Sequence, residues 1–313
     1  MIKKQFALQS AYGDVRIDCA EYVDETCENK EKAPLGVVQI VHGMCEYKER
    51  YEPFIEFLTK NGYVVFAHDH RGHGNSVKEP AELGYFGDKK GVAIVDDAAT
   101  VTDEIKKRYP SLPLTLFGHS MGSLVVRVYL QKYESKIDRL IVCGAPSKNS
   151  LAGVGIALNN CISLFKGARH RSALMAKLST GGGDEDFPDE GKNAWLTRDS
   201  AVREAYNADS KCNFTFTCNG FSNLLHLMKK TYRKKRYPVQ KRTLPILFIA
   251  GADDPVTINA KKREEACDFM RKIGYMDVAR KEYVGMRHEI LNEIGKEEPY
   301  NDVLRFLNGE TIA

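Results

Sequence analysis

The feature of this sequence that most restricts its fold is an alternation of short apolar runs with longer amphipathic segments. Short apolar runs bounded by turn residues are typical of buried strands, and they occupy residues 35–41, 63–67, 114–117, 140–143, 246–250 and 279–284. Helical patterns lie between them at 51–60, 93–108, 124–133, 261–273 and 298–307. This alternation predicts an α/β fold, with a mostly parallel sheet flanked by helices on both faces. Residues 5–9 and 15–22 add an expected antiparallel hairpin at the sheet edge.

One long segment interrupts the alternation. From residue 146 to 238 the strand pattern stops, and amphipathic stretches such as 151–165 and 214–228 replace it. Open α/β sheets bind ligands at the carboxyl ends of their strands, so an insertion between two strands predicts a helical lid over the site. We therefore predict a core formed by 1–145 and 239–313, with 146–238 as the lid.

The strongest chemical signal is the pentapeptide Gly118-His119-Ser120-Met121-Gly122. The pattern G-x-S-x-G alone is common, but here it follows an expected strand and opens an expected helix. A turn this sharp leaves no room for side chains two positions on either side of the serine, which accounts for the glycines. We therefore predict that Ser120 is a nucleophile raised above the sheet edge.

A serine hydroxyl needs a base to take its proton, and an acid to orient that base. In hydrolases with this strand–serine–helix turn the order along the chain is serine, acid, histidine. His288 is the only histidine after the candidate acids, so it is the expected base. The turn after the run 246–250 offers Asp253 and Asp254, and we favour Asp254 as the inward-facing acid, with Asp253 exposed to solvent.

Acyl transfer also requires two backbone N–H groups that stabilise the developing oxyanion. One comes from the residue after the nucleophile, Met121. The other is expected from the loop after an early strand, where His42-Gly43-Met44 stands, and Met44 is the predicted donor.

A histidine-rich stretch offers a different interpretation. His68, Asp69, His70 and His73 lie within six residues, and such a set could bind zinc. The glycine-rich spacing suits a loop that ends a strand, and Arg71 among the ligands would repel a cation. We therefore predict a structural loop here and no metal site.

Taken together, these motifs resemble the monoacylglycerol lipase and lysophospholipase branch of the α/β-hydrolases. The resemblance covers nearly the whole chain and rests on His42-Gly43, Asp69-x-Arg71-Gly72-x-Gly74-x-Ser76, Gly118-His119-Ser120-Met121-Gly122, Gly251-x-x-Asp254 and His288. These lipases often carry His-Gly-x-x-Glu-His; here Glu46 matches, but Tyr47 replaces the last histidine.

The resemblance implies a serine hydrolase that cleaves esters of single-chain lipids through an acyl-enzyme, with a helical lid over an acyl tunnel and no cofactor. Two alternatives stay open at this point. A prolyl-aminopeptidase would share the fold and would need acidic residues in the lid to bind a substrate ammonium; Asp184, Glu185, Asp186, Asp189 and Glu190 could supply them. A non-catalytic small-molecule binder would keep the fold without the chemistry, and the intact triad argues against it.

Composition sets the expected location and partners. A net charge of +4 is too small to argue for a nucleic-acid partner. Basic residues do crowd between 229 and 242, either as a solvated surface or as a patch that attracts anionic lipid headgroups. The eight cysteines form no C-x-x-C pair, no apolar run reaches the length of a transmembrane segment, and no signal peptide is evident. We therefore expect a cytoplasmic protein without a transmembrane segment.

Overall fold

The fold is built on one eight-stranded sheet. The computed structural model describes residues 1–87, 90–180 and 183–312, and all strand and helix counts refer to these ranges. The strands are β1 (Ile2–Gln9), β2 (Arg16–Val23), β3 (Gly36–Val41), β4 (Tyr63–His68), β5 (Leu114–His119), β6 (Arg139–Cys143), β7 (Ile246–Gly251) and β8 (Val278–Tyr283). Their order across the sheet is β1-β2-β4-β3-β5-β6-β7-β8.

The direction of the strands confirms the predicted fold class. The hairpin β1–β2 is antiparallel and joins the edge strand β2 antiparallel to β4. From β4 to β8 every neighbouring pair is parallel. All six predicted apolar runs and the hairpin are strands, and their bounds differ from the prediction by a few residues.

Helices cover both faces of this sheet. They are α1 (Glu25–Glu28), α2 (Glu52–Lys60), α3 (Ala93–Arg108), α4 (Met121–Tyr133), α5 (Ala152–Lys166), α6 (Ala173–Thr180), α7 (Ser200–Ala208), α8 (Cys218–Thr231), α9 (Ala260–Ile273) and α10 (Glu297–Leu307). Residues of β3 enter opposite cores: Val37 and Val41 belong to the cluster that contains residues of α3, α4 and α9, whereas Val38 and Ile40 belong to the cluster that contains residues of α2 and α10. This two-sided burial explains why the strand reads as a continuous apolar run.

Four helices, α5 to α8, lie between β6 and β7. The two longest, α5 and α8, pack antiparallel: a Cβ on Gly155 would lie 3.4 Å from Leu225, and Asn159 donates to the carbonyl of Cys218 at 2.8 Å. Sequence periodicity did not reveal the short helices α6 and α7. The predicted second stripe also began too early, because α8 starts at Cys218 with Thr217 as its N-cap, and Phe214 and Phe216 lie outside it. That the whole segment 146–238 acts as a lid remains a prediction.

The topology brings the predicted site residues to one edge of the sheet. Met44 follows β3, Ser120 follows β5, Asp254 follows β7 and His288 follows β8. Parallel strands end at the same edge, so loops separated by more than 200 residues in sequence meet there.

Candidate active site

Ser120 occupies a strained turn between β5 and α4. Its φ of 53° and ψ of −117° are a conformation that non-glycine residues rarely adopt. A Cβ on Gly118 would lie 2.5 Å from the carbonyl oxygen of Gly122, and one on Gly122 would lie 2.0 Å from that of Val41. No side chain fits at either position, which is the physical reason for the two glycines. The turn is held by the amide of Ser120, which donates to the carbonyl of Cys143 at 2.9 Å.

The structure brings Asp254 and His288 together. Oδ2 of Asp254 lies 2.9 Å from Nδ1 of His288, and both side chains are buried. The other carboxylate oxygen of Asp254 accepts from the amide of Val256 at 2.9 Å, which fixes the carboxylate. Asp253 is exposed. This arrangement suits an acid that sets the tautomer of a histidine base.

The surroundings of Nε2, the second ring nitrogen of His288, also suit a catalytic base. Nε2 is buried and has no hydrogen-bond partner among the described residues, and Ser120 and His288 line the same cavity. Trp195 packs against the ring with centroids 5.1 Å apart, and its carbonyl accepts from the amide of His288 at 3.3 Å. The structure therefore leaves Nε2 of His288 without a partner among the described residues, in the cavity that Ser120 also lines.

The two predicted oxyanion donors flank Ser120. Met121 is the first residue of α4, so its N–H belongs to the first turn, where helical amides lack an intrahelical acceptor. The loop carrying Gly43 and Met44 passes over the nucleophile, because a Cβ on Gly43 would lie 3.1 Å from that of Ser120. Both predicted donors therefore belong to segments next to Ser120, and their role in stabilising an oxyanion remains a prediction.

Behind these residues lies a buried polar network to which the sequence patterns assigned no role. Oε1 of Glu46 accepts from the amide of Gly43 at 2.5 Å and from the hydroxyl of Tyr51 at 2.8 Å, and it lies 3.1 Å from Nδ1 of His119. The signal that could have revealed it is the i, i+4 spacing of Glu46 and Arg50.

Arg50 extends this network to the histidine loop. It donates to Oε2 of Glu46 at 3.0 Å and makes a two-pronged ion pair with Glu289 at 2.6 and 2.7 Å. Burial would raise the pKa of Glu46, but the hydrogen bond and charge of His119 and the charge of Arg50 lower it overall. Glu46 is therefore an ionised buried carboxylate.

A cavity of about 500 Å³ opens at Ser120. Its lining includes apolar residues, which together are called the apolar wall: Met44, Leu124, Phe214, Phe221, Leu224, Met228 and Val256. It also includes polar residues, among them Lys177, Ser179, Asp184, Glu185, Lys192, Asn193 and Asn213. The cavity can therefore hold a molecule with an apolar and a polar portion.

Comparison with known proteins places the chain in a family. Residues 32–295 match the model of the Hydrolase_4 family, described as serine aminopeptidase, S33. The chain belongs to this family.

Individual relatives indicate which branch of the family this chain resembles. The chain is 27% identical over 275 residues to a monoacylglycerol lipase of Mycolicibacterium smegmatis, covering 88% of each protein. It is 24% identical to phospholipase YtpA of Bacillus subtilis, covering 88% of this chain and 96% of the relative. A thermostable carboxyl esterase from Bacillus coagulans, solved with glycerol, superposes with a TM-score of 0.88 at 26% identity, covering 99% of both chains. The protein is an α/β-hydrolase of the monoglyceride lipase family and a carboxylic ester hydrolase.

The histidine-rich stretch of this hydrolase is buried beside the loop of Gly43 and Met44, which is called the oxyanion loop after its predicted role. The ring of His70 lies 4.2 Å from that of His42 and 5.0 Å from that of His68, and the ring of His73 lies 5.2 Å from that of His42. Within 1–87, 90–180 and 183–312, no three His, Cys, Asp or Glu side chains are placed to hold a metal ion. Arg71 forms a buried ion pair with Asp97 instead, at 2.7 Å.

This histidine cluster predicts a marked loss of stability in acid. Burial lowers the pKa of His68 to about 3 and that of His73 to about 4, and it holds the pKa of His42 and His70 well below the usual value. In the unfolded chain these groups bind protons below about pH 6.5, whereas the folded protein excludes them. The free energy of unfolding should therefore fall as the pH decreases from about 6.5 to 4, with each histidine contributing up to about 1.4 kcal/mol per pH unit.

Urea unfolding of the His68→Leu variant between about pH 4.5 and 6.5 tests this origin, because one histidine's share of the slope should disappear. Both ring nitrogens of His68 lack a hydrogen-bond partner among the described residues, so leucine leaves no other group unpaired. The control is His170→Leu at an exposed site, which should keep the wild-type slope. Equal slopes in wild type and His68→Leu would contradict the explanation.

None of the helices that the structure describes is both long and apolar enough to cross a bilayer.

Proposed function

We propose that this hydrolase cleaves esters of single-chain lipids, of the monoacylglycerol or lysophospholipid type, through an acyl-enzyme on Ser120. The observation that carries the proposal is the cavity at Ser120, whose lining contains both apolar and polar side chains. A fatty-acyl monoester likewise has an apolar chain and a polar head group. The similarity to a monoacylglycerol lipase and a phospholipase supports this substrate class.

The proposed reaction follows from the geometry. Nε2 of His288 removes the hydroxyl proton of Ser120 while the oxygen attacks the ester carbonyl. The amides of Met44 and Met121 stabilise the oxyanion, and Asp254 stabilises the imidazolium. His288 then gives its proton to the departing alcohol, which leaves an acyl-Ser120 ester. Water, deprotonated by the same histidine, attacks this ester and releases the fatty acid and the free serine.

The substrate proposal predicts a dependence on acyl length. The apolar wall should remove the chain from water, and each buried CH₂ adds up to about 0.8 kcal/mol of binding. We expect kcat/KM on p-nitrophenyl esters to rise several-fold or more from acetate to medium-length acyl groups. Two-chain lipids should react more slowly than monoacylglycerols and lysophospholipids, because one cavity of about 500 Å³ accommodates one chain.

A variant of the wall sharpens this test. Leu224→Trp should reduce kcat/KM for a decanoate ester far more than for acetate, because the larger side chain occupies acyl space. The exposed Leu35 allows a matched Leu35→Trp control that should preserve the profile. A preference for acetate in the wild type, or equal effects of Leu224→Trp on both esters, would contradict an acyl site at this wall.

The aminopeptidase alternative has less support than the lipase, because several of the acidic residues that would bind a substrate ammonium have cations nearby. Glu190 is paired with Arg287 at 2.5 Å and with Arg203 at 3.4 Å. Asp184 and Glu185 do line the cavity, but Lys177 and Lys192 line it too and oppose their charge. An N-terminal prolyl amide belongs in the substrate panel, and its faster cleavage than any ester would favour the peptidase.

The proposal includes transient contact with an anionic lipid surface through α5 and α6. Several apolar residues of α5 are exposed, whereas Leu158 and Ile162 pack against the core. Phe165 is 78% exposed, Leu164 is 79% exposed, Val154 is exposed on the same helix, and Leu151 is exposed at its N-cap. Leu174 and Leu178 are exposed on α6, which also lines the cavity through Ala176. Exposed apolar residues in such number are typical of a protein or membrane contact.

The charge around these helices supports an anionic lipid surface as the partner. From residue 139 to 183 the sequence has six lysines and arginines and no aspartate or glutamate. The antiparallel packing of α5 and α8 also places the basic run 229–242 near the N-terminal end of α5. An apolar helix face flanked by cations along the sequence matches the interface of an anionic bilayer.

Vesicle co-sedimentation tests this contact. The double variant Leu164→Ser/Phe165→Ser should bind vesicles of phosphatidylcholine and phosphatidylglycerol much less than wild type, and wild type should bind pure phosphatidylcholine vesicles weakly. The matched control is Val284→Ser, since Val284 is 92% exposed in the loop after β8. Equal sedimentation of the double variant and wild type would contradict a lipid-binding role for α5.

A cytoplasmic location is the remaining part of the proposal. All eight cysteines lie among the described residues and are free thiols, and six of them are buried. Unpaired cysteines in this number suit a reducing compartment.

A further inference from the structure

His119, the residue before the nucleophile, has an unusual hydrogen-bond environment. Its Nδ1 lies 3.1 Å from Oε1 of Glu46, and its Nε2 lies 3.2 Å from the carbonyl oxygen of His288. A carbonyl oxygen and a carboxylate oxygen can only accept hydrogen bonds. A neutral imidazole carries one N–H, so it would direct a lone pair at one of these two oxygens.

Glu46 does not remove this conflict by carrying the proton itself. Its Oε1 already accepts from the amide of Gly43 and is within 2.8 Å of the Tyr51 hydroxyl. Its Oε2 accepts from the guanidinium of Arg50 at 3.0 Å. A carboxylate surrounded by donors and a guanidinium stays ionised.

We propose that His119 is an imidazolium at neutral pH, and that this charged ring is a positioning residue which joins three loops of the active site. Through Glu46 it holds the oxyanion loop at Gly43, and through its own backbone it holds the turn of Ser120. Through the carbonyl of His288 it holds the loop of His288 and Glu289. The ion pair between Arg50 and Glu289 is a second contact to this loop.

The charge balance of the site supports this protonation state. The buried carboxylates in contact with His119, His288 or Arg50 are Glu46, Asp254 and Glu289, and the cations that pair with them are Arg50 and His119. With His119 charged, one negative charge is left over. When His288 takes the proton of Ser120, these side chains together become neutral and the negative charge passes to the oxyanion formed on the substrate, while the two rings stay 4.8 Å apart. The network thus carries both imidazolium rings during the reaction without a net positive charge.

The groups that face His119 determine how it titrates. They are Glu46 and Tyr51 from the loop and helix after β3, Cys143 at the end of β6, and His288 and Glu289 after β8. Burial opposes the charged ring, but the hydrogen bond and charge of Glu46, with the charge of Glu289, raise the pKa of His119 overall. Deprotonation at alkaline pH should break one of its two contacts, loosen the three loops and lower kcat with little change in KM.

The direct test is ¹⁵N NMR of the whole protein with labelled histidine at about pH 8, where a histidine of ordinary pKa is neutral. We expect one histidine with both ring nitrogens protonated, and we expect its signals to vanish in His119→Gln. Absence of such a ring in the wild type, or its persistence in His119→Gln, would overturn the proposal. This measurement needs only the folded wild-type protein and does not depend on the proposed substrate.

The kinetic test is the pH profile of kcat on a p-nitrophenyl ester, and it rests on the proposed esterase activity. Glu46→Gln removes the carboxylate that stabilises the charged ring of His119. The fall of kcat at alkaline pH, the alkaline limb of the profile, should therefore move to lower pH by about one unit or more. Glu134 provides the control, because it is also buried and accepts from a tyrosine hydroxyl, at 2.7 Å, in another part of the fold. Glu134→Gln should keep the wild-type limb, and an unmoved limb in Glu46→Gln would overturn the positioning role. A wild-type protein without esterase activity would contradict the proposed function and leave the NMR result to decide the charge of His119.

Discussion

Replacing Ser120 by alanine should abolish nearly all turnover while the protein folds normally. The variant loses the only oxygen in the proposed mechanism that forms the acyl-enzyme, and losses of a triad nucleophile reduce kcat by roughly 10⁴- to 10⁶-fold. The fold should survive, because Ser123 hydrogen-bonds the carbonyl oxygen of residue 120 and not its hydroxyl. The measurement is kcat on a medium-chain p-nitrophenyl ester with purified protein.

Two controls make this result interpretable. Ser111→Ala changes an exposed serine before β5 and should keep wild-type kcat. Trp195 is the sole tryptophan and packs against His288, so its fluorescence reports whether the site stays intact in Ser120→Ala. An intact Ser120→Ala variant that retains more than a few per cent of wild-type kcat would place the nucleophile elsewhere.

Asp254→Asn should reduce kcat by about 10³- to 10⁴-fold, whereas Asp253→Asn should change it less than about twofold. The asparagine amide would donate to Nδ1 of His288, which moves the remaining ring proton to Nε2. That nitrogen could then no longer accept the proton of Ser120. The asparagine oxygen can still accept from Val256, so the turn itself should be preserved.

The comparison of these neighbours is a matched test, because the same substitution is made one residue apart at a buried and an exposed carboxylate. Unfolding in urea checks that both variants are stable at the assay temperature. If Asp253→Asn is the slow variant and Asp254→Asn is not, the assignment of the acid is wrong.

Local patterns were sufficient for the framework of the fold. Strands such as β3 and β7 are buried on both faces, so they appear in the sequence as continuous apolar runs between turns. The turn at Ser120 was also recognisable, because its glycines are required by backbone contacts within five residues and with the adjacent strand β3. Chain order after that turn left one histidine and two neighbouring acids to consider, and burial separates the acids.

Interactions between distant segments were beyond such patterns. The apolar spacing of α5 could not distinguish a face packed on the core from an exposed one, since periodicity records only that apolar residues share a side. The short helices α6 and α7 were not predicted, although α7 has nine residues, as many as the predicted α2.

By itself, then, the sequence determined the order of strands and helices, the nucleophile turn and the triad candidates, because each depends on residues close together in the chain or on a fixed order along it. Only the tertiary structure decided that Glu46, Arg50, His119 and Glu289 form one buried network, since Arg50 and Glu289 are 239 residues apart. It also decided which apolar residues line the cavity at Ser120 and which face solvent. The physical reason is that burial and hydrogen-bond partners depend on the surrounding segments, which a residue's own sequence neighbourhood does not specify.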